Sequence, residues 1–108
     1  IMYLPNGFMS VQITGDPPAR TKGPFEEASD AEKKAVAEGY YAYYGRYEVD
    51  EKKGAVTHHV EASLRPHEVG IDYVRYYKLQ GDSVTLETAP RMESGEMRVN
   101  RLVWRRAN

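Results

Sequence analysis

Apolar and polar residues alternate along most of this chain, and the alternation marks out strands. Met9, Val11 and Ile13 interleave with Ser10, Gln12 and Thr14, so an extended backbone turns one apolar face inward and one polar face outward. The run Ile1 to Leu4 is joined to Phe8 to Thr14 by Pro5-Asn6-Gly7, whose Asn-Gly pair favours positive φ and predicts a β-hairpin. Strand rhythm returns from Arg46 to Asp50, breaks at Glu51-Lys52-Lys53-Gly54, and continues from Ala55 to Ser63, where Val56, His58, Val60 and Ala62 share a face. Arg65 to Gly70 interrupts the pattern and Ile71 to Leu79 resumes it. Gln80-Gly81-Asp82 reads as a tight turn, followed by strands at Ser83 to Thr88 and at about Met97 to Arg105, with a loop containing Pro90 and Gly95 between them.

Gly15 to Glu27 has no sustained period and is expected to be a loop. Ser29 to Tyr44 predicts the one helix, because Ser29 and Glu32 are spaced to cap its first turn reciprocally and Gly45 can end it. At 100° per residue Ala28, Ala31, Ala35, Gly39 and Ala42 form a narrow stripe of small residues, which lets a helix approach a sheet closely. The expected arrangement lays this helix against a barrel or across its mouth. Tyr40, Tyr41, Tyr43 and Tyr44 then stand at its last turn, either beside the opening or simply packing the helix end.

Seven strand segments and one helix joined by short turns predict a mainly β fold: an antiparallel up-and-down β-barrel with one helix packed on or across it, since closure removes exposed edges. An even strand number would suit closure better, which raises the expectation of a further strand before Ile1. One domain over 1–108 fits this length, at which a single core is sustainable.

Composition narrows the function. Fifteen basic and sixteen acidic residues give a formal charge of -1, leaving no broad positive field for phosphates, so nucleic acid is not an expected partner. The absence of cysteine removes thiolate chemistry and disulfides and fits a cytoplasmic location. No apolar stretch approaches the roughly 20 residues of a membrane span. Nine of the twelve aromatic residues are tyrosine, a residue that suits both strand surfaces and pocket walls, with an apolar ring and a polar tip.

Several segments form an ordered series of short motifs: Met2-Tyr3 with Pro5-Asn6-Gly7-Phe8-Met9-Ser10, Tyr43-Tyr44-Gly45-Arg46-Tyr47-Glu48-Val49-Asp50, and Val56-Thr57-His58-His59-Val60-Glu61-Ala62-Ser63. Gly70 with Val74-Arg75-Tyr76-Tyr77, Gly81-Asp82 with Leu86, and Trp104-Arg105-Arg106 continue the series. Together these segments resemble the lipocalin-like domain family of small bacterial and fungal proteins. The resemblance implies a small lipocalin-like barrel, some of whose relatives lie among genes for natural-product biosynthesis. It supplies no agreed catalytic set, so no catalytic residue is carried over, and the further first strand usual in the family has no counterpart before Ile1.

The candidate site therefore rests on strand parity. On Ile71 to Leu79 the odd positions Tyr73, Arg75 and Tyr77 share a face with Ile71 and Leu79, which places a guanidinium on the apolar side, where its fork of donors needs a carboxylate, phosphate, carbonyl or water. Arg75 is either an anchor for a polar ligand group, an interior Arg paired within the protein, or an outward residue if Val74 and Tyr76 point in. His58, between Val56 and Val60, either contacts a ligand oxygen or is a buried neutral histidine satisfied by tyrosine or backbone. His59 points the other way, so the pair is a poor chelate, and no metal is expected. Tyr47 joins the candidate wall, and Arg101 is either a second interior cation or a surface residue at an oligomer contact.

No nucleotide fingerprint or Ser-His-Asp spacing appears, and no cofactor is expected. Three functions remain open: binding of a small hydrophobic or amphipathic, partly oxygenated ligand in a barrel cavity; a cofactor-free isomerase, cyclase or dehydratase on the same scaffold; and a scaffolding subunit with a filled barrel. A homodimer is the default assembly.

Overall fold

Residues that oppose each other in an antiparallel ladder share a face, so strand register decides which side chains meet. The computed structural model describes residues 1–107. Its principal sheet contains β1 (Met2–Tyr3), β2 (Phe8–Thr14), β3 (Tyr40–Asp50), β4 (Ala55–Ser63), β5 (Asp72–Gln80) and β6 (Ser83–Glu87). A two-stranded ribbon, β7 (Arg91–Glu93) and β8 (Glu96–Arg98), intervenes before β9 (Arg101–Arg105) completes the sheet. Every pair is antiparallel and the spatial order is the chain order, β1 to β6 and then β9.

The predicted up-and-down antiparallel architecture is present as a curled half-barrel. Its closure differs from the expected barrel, because β1 and β9 share no ladder among the described residues. A cleft separates these edges instead, with Ile1 and Tyr3 on one side and Trp104 and Arg105 on the other.

The helix is shorter than the sequence period suggested. The capping box of Ser29 and Glu32 forms as predicted, but α1 (Asp30–Glu38) ends at Gly39 rather than at Gly45. Tyr40 to Tyr44 belong to β3, where they pair residue by residue with Thr14 back to Ser10. Two forces favour this outcome. Tyrosine is a good strand former, and the alanine stripe offers a helix little apolar area, so no residue of α1 is buried. The expectation of tyrosines on the helix's last turn is thus corrected: Tyr41 and Tyr43 reach the interior from a strand. The long final strand is likewise split, Met97 falling in β8 and Val103 in β9.

Register then assembles one inner face. Tyr3 opposes Met9, Val11 opposes Tyr43, Tyr47 opposes His58, His58 opposes Tyr73, and Val56 opposes Arg75. Tyr77 opposes Leu86, which opposes Leu102, while Val84 opposes Trp104. Met9, Val11, Tyr43 and Val60 form the buried cluster at its centre. A bulge at Tyr44/Gly45 inserts Glu61 between the partners Val60 and Ala62. This shifts the pleat of β4 by one residue, so Ala62, expected beside His58, faces outward opposite Tyr44, and Ser63 takes the inward phase with Tyr43. Gly45 permits the bulge, since a β-carbon there would collide with the carbonyl of His59.

Candidate functional site

The concave face encloses a hollow of about 560 Å³, a size suited to a small organic ligand. Its walls are apolar at Val11, Ile13, Leu86 and Leu102, and its polar groups include Tyr41, Tyr43, His58, Glu68, Tyr73 and Arg75, with Thr88, Asn100 and Arg101 also on its lining.

Arg75 takes the inward phase of β5 and is half-buried. Its guanidinium stacks over the Tyr73 ring at 4.7 Å, a cation–π contact, and Nη1 donates to the carbonyl of Val74 at 3.2 Å. No carboxylate bridges to it among the described residues. Of the five N–H donors of the guanidinium, one is bonded to a protein acceptor among the described residues, and the residue lines the hollow.

His58 is 1% exposed and both ring nitrogens are engaged. Nε2 shares a hydrogen bond of 2.6 Å with the Tyr3 hydroxyl, and Nδ1 one of 2.7 Å with that of Tyr43. Burial, reinforced by the nearby positive charges of Arg75 and His59, pushes its pKa down to about 4, so the imidazole is neutral at physiological pH. Of the alternatives open from sequence, the structure shows the histidine satisfied by tyrosine. His58 borders the hollow as the hub of a phenol–imidazole–phenol chain. Burial also raises the Tyr43 hydroxyl, to about 12.

Glu68 was read only as part of an interruption between strands. It sits in a single 3-10 turn, Pro66–Glu68, and its residue is 6% exposed. Tyr41 donates to its Oε2 at 2.8 Å and Ser63 to its Oε1 at 2.8 Å, and Tyr73 also donates to Oε2. Burial acts to raise its pKa, but the three hydroxyl bonds outweigh it and the carboxyl lies below its ordinary value. Burial and the Glu68 carboxylate together raise the pKa of the Tyr41 and Tyr73 hydroxyls above the usual phenol value.

The remaining sequence candidates divide. Tyr73 joins Arg75 and His58 in the first hollow, whereas Tyr47 and Tyr77 line a second, apolar hollow of about 380 Å³ further along the same face. Tyr47 donates to the carbonyl of Leu4 at 2.8 Å and meets Tyr3 edge-on at 4.8 Å. Arg101 is not an interior cation. It opposes Glu87 in the outward phase of β9 and bonds its carboxylate at 2.7 Å, while Leu102 and Trp104 take the inward phase, so Arg101 contributes only at the rim.

Sequence reasoning missed Tyr3, Tyr41, Tyr43, Glu68 and Trp104. Tyr41, Tyr43, Tyr47 and Val49 do show period-two spacing once the tyrosine run is read as strand. Glu68 carries no comparable signal, since two of its partners lie on β3 and β4. Trp104, the single tryptophan, has a buried Nε1 with no acceptor among the described residues.

No helix of the described residues is long and apolar enough to cross a membrane. The family model for lipocalin-like domains matches residues 1–107. No curated protein and no solved structure matches the chain.

Proposed function

The chain belongs to the lipocalin-like domain family, and from that premise we propose that its first hollow binds a small, partly apolar, oxygenated organic molecule anchored by Arg75. The observation that carries this reading is a half-buried guanidinium lining a 560 Å³ hollow with no carboxylate partner among the described residues. Desolvating such a group without a ligand forfeits hydrogen bonds that water or a bound oxygen would supply. Apolar walls supply the hydrophobic part of the affinity, roughly 25 cal/mol per Å² removed from water. A filled scaffolding barrel draws no support from a hollow of this size. Proton transfer by His58 draws none from an imidazole whose two nitrogens are already occupied by tyrosines. The cysteine-free composition is compatible with a reducing cytoplasm.

Native mass spectrometry of protein purified from its source cells tests the proposal directly, because a retained small molecule adds its mass to the chain. The single tryptophan in the wall gives a second readout, quenching of its fluorescence on titration with that molecule. Arg75→Ala is expected to weaken binding by about ten- to a hundredfold, the worth of one charge-assisted hydrogen bond. Unchanged affinity in Arg75→Ala would remove Arg75 as the anchor.

A further inference from the structure

The two tyrosines on His58 pose a question of proton count. A neutral imidazole has one N–H and one bare nitrogen, so one of the two hydroxyls must donate to the ring and the other must accept from it. The accepting hydroxyl keeps its own proton, and neither Tyr3 nor Tyr43 has a second partner among the described residues. One phenolic proton is therefore free, and the tautomer of His58 decides which ring carries it. The two ends of the chain open into different spaces: Tyr43 lines the first hollow with Arg75, while Tyr3 lines the second hollow and the cleft between the sheet edges.

Tyr43 is 6% exposed, so a free proton on its hydroxyl has no bulk water to bond. Its ring lies 5.9 Å from that of Tyr73, over which the Arg75 guanidinium is stacked. Trp104, whose buried Nε1 has no acceptor among the described residues, also lines this hollow. Beyond its one bond to the Val74 carbonyl, the Arg75 guanidinium has donors to spare, and Tyr43 adds one more on the same hollow whenever His58 carries its proton on Nδ1. The carboxylate there, Glu68, already accepts three hydroxyls, which leaves little of its acceptor capacity for a ligand cation.

We propose that Tyr43, held by His58 and Tyr3, is a donor to a ligand oxyanion beside Arg75, so that the class of ligand is an apolar carboxylate or enolate. In the bound state Nδ1–H of His58 donates to the Tyr43 oxygen, Tyr43 gives its own proton to the oxyanion, and Tyr3 donates to the bare Nε2. The proposal rests on the reading of the first hollow as a binding pocket and specifies what that pocket selects.

The test uses the full chain labelled with 15N at histidine and three probes that share one ring system: 1-naphthoate, 1-methylnaphthalene and 1-naphthylmethylammonium. Dissociation constants come from Trp104 fluorescence, and the His58 tautomer from long-range 1H–15N correlation. Naphthoate is expected to bind at least tenfold more tightly than either other probe and to fix His58 as the Nδ1–H form. Tyr43→Phe should lose at least tenfold for naphthoate and little for methylnaphthalene. If that variant does not fold, the tautomer in the unmodified protein decides by itself. Equal affinity for the three probes, or preference for the ammonium, would overturn the oxyanion assignment while leaving the pocket standing. A naphthoate complex with His58 in the Nε2–H form would overturn the role of Tyr43. Failure of all three to bind would overturn both the assignment and the pocket.

Discussion

Acid should destabilise this protein through His58, and the size of the effect can be worked out from its surroundings. In the unfolded chain the imidazole takes a proton near pH 6.5, whereas in the fold burial and two neighbouring positive charges delay protonation to about pH 4. Between these values the unfolded state holds the extra proton, so stability falls as pH falls. At roughly 1.4 kcal/mol per pH unit, the loss from pH 6.5 to about 4 comes to about 3 kcal/mol, a large share of a small domain's stability. His58→Gln provides the reference, since an amide offers Tyr3 and Tyr43 one donor and one acceptor without titrating. Other groups act equally in both proteins. His59, raised chiefly by its hydrogen bond to Asp72, contributes stability below pH 6.5 that is lost as pH rises through its folded value. Glu68 contributes stability above the ordinary carboxylate pKa that is lost as pH falls through its lowered value. Urea unfolding at pH 7, 6, 5 and 4, followed by circular dichroism, should show the parent losing about 3 kcal/mol more than the variant over this range. Parallel profiles for the two proteins would refute the account of His58 as a buried neutral hub.

Two further changes probe the supports of the site. Glu68→Gln replaces a charged acceptor of three hydroxyls with a neutral one and should cost about 1–2 kcal/mol in urea unfolding. The phenolate absorbance of Tyr41 and Tyr73 should then titrate at lower pH, and no change in either measurement would show that the carboxylate does not organise these tyrosines. Gly45→Ala places a methyl group against the His59 carbonyl, with the carbonyl carbon only 2.9 Å away. Prising β3 from β4 at the bulge should cost about 1–3 kcal/mol, and a variant as stable as the parent would mean that the bulge is dispensable.

The strand segments were legible because alternation is a local property. Met9, Val11 and Ile13, the run around His58, and Tyr73, Arg75 and Tyr77 lie on the face that period-two spacing assigned to them. The hairpin at Asn6-Gly7 was equally legible, with Gly7 at φ 89°, because the turn's chemistry is carried by adjacent residues. The end of the helix was not. Helical and strand periods both fit a tyrosine run, and the choice fell to β2, whose free edge accepts Tyr40 to Arg46 as a partner strand.

By itself, then, the order of residues determined the antiparallel up-and-down class, the apolar face that His58 shares with Val56 and Val60, and the capped start of α1, each of which follows from contacts between near neighbours in the chain. Only the folded chain decided that Arg75 takes the inward phase, that His58 is enclosed by Tyr3 and Tyr43, that Glu68 gathers Tyr41, Tyr73 and Ser63, and that Arg101 turns to Glu87 while Arg75 finds no acid among the described residues. These are pairings between residues up to 55 positions apart. They depend on sheet curvature and on one bulge that shifts the pleat of β4, and neither leaves a periodic mark in the sequence.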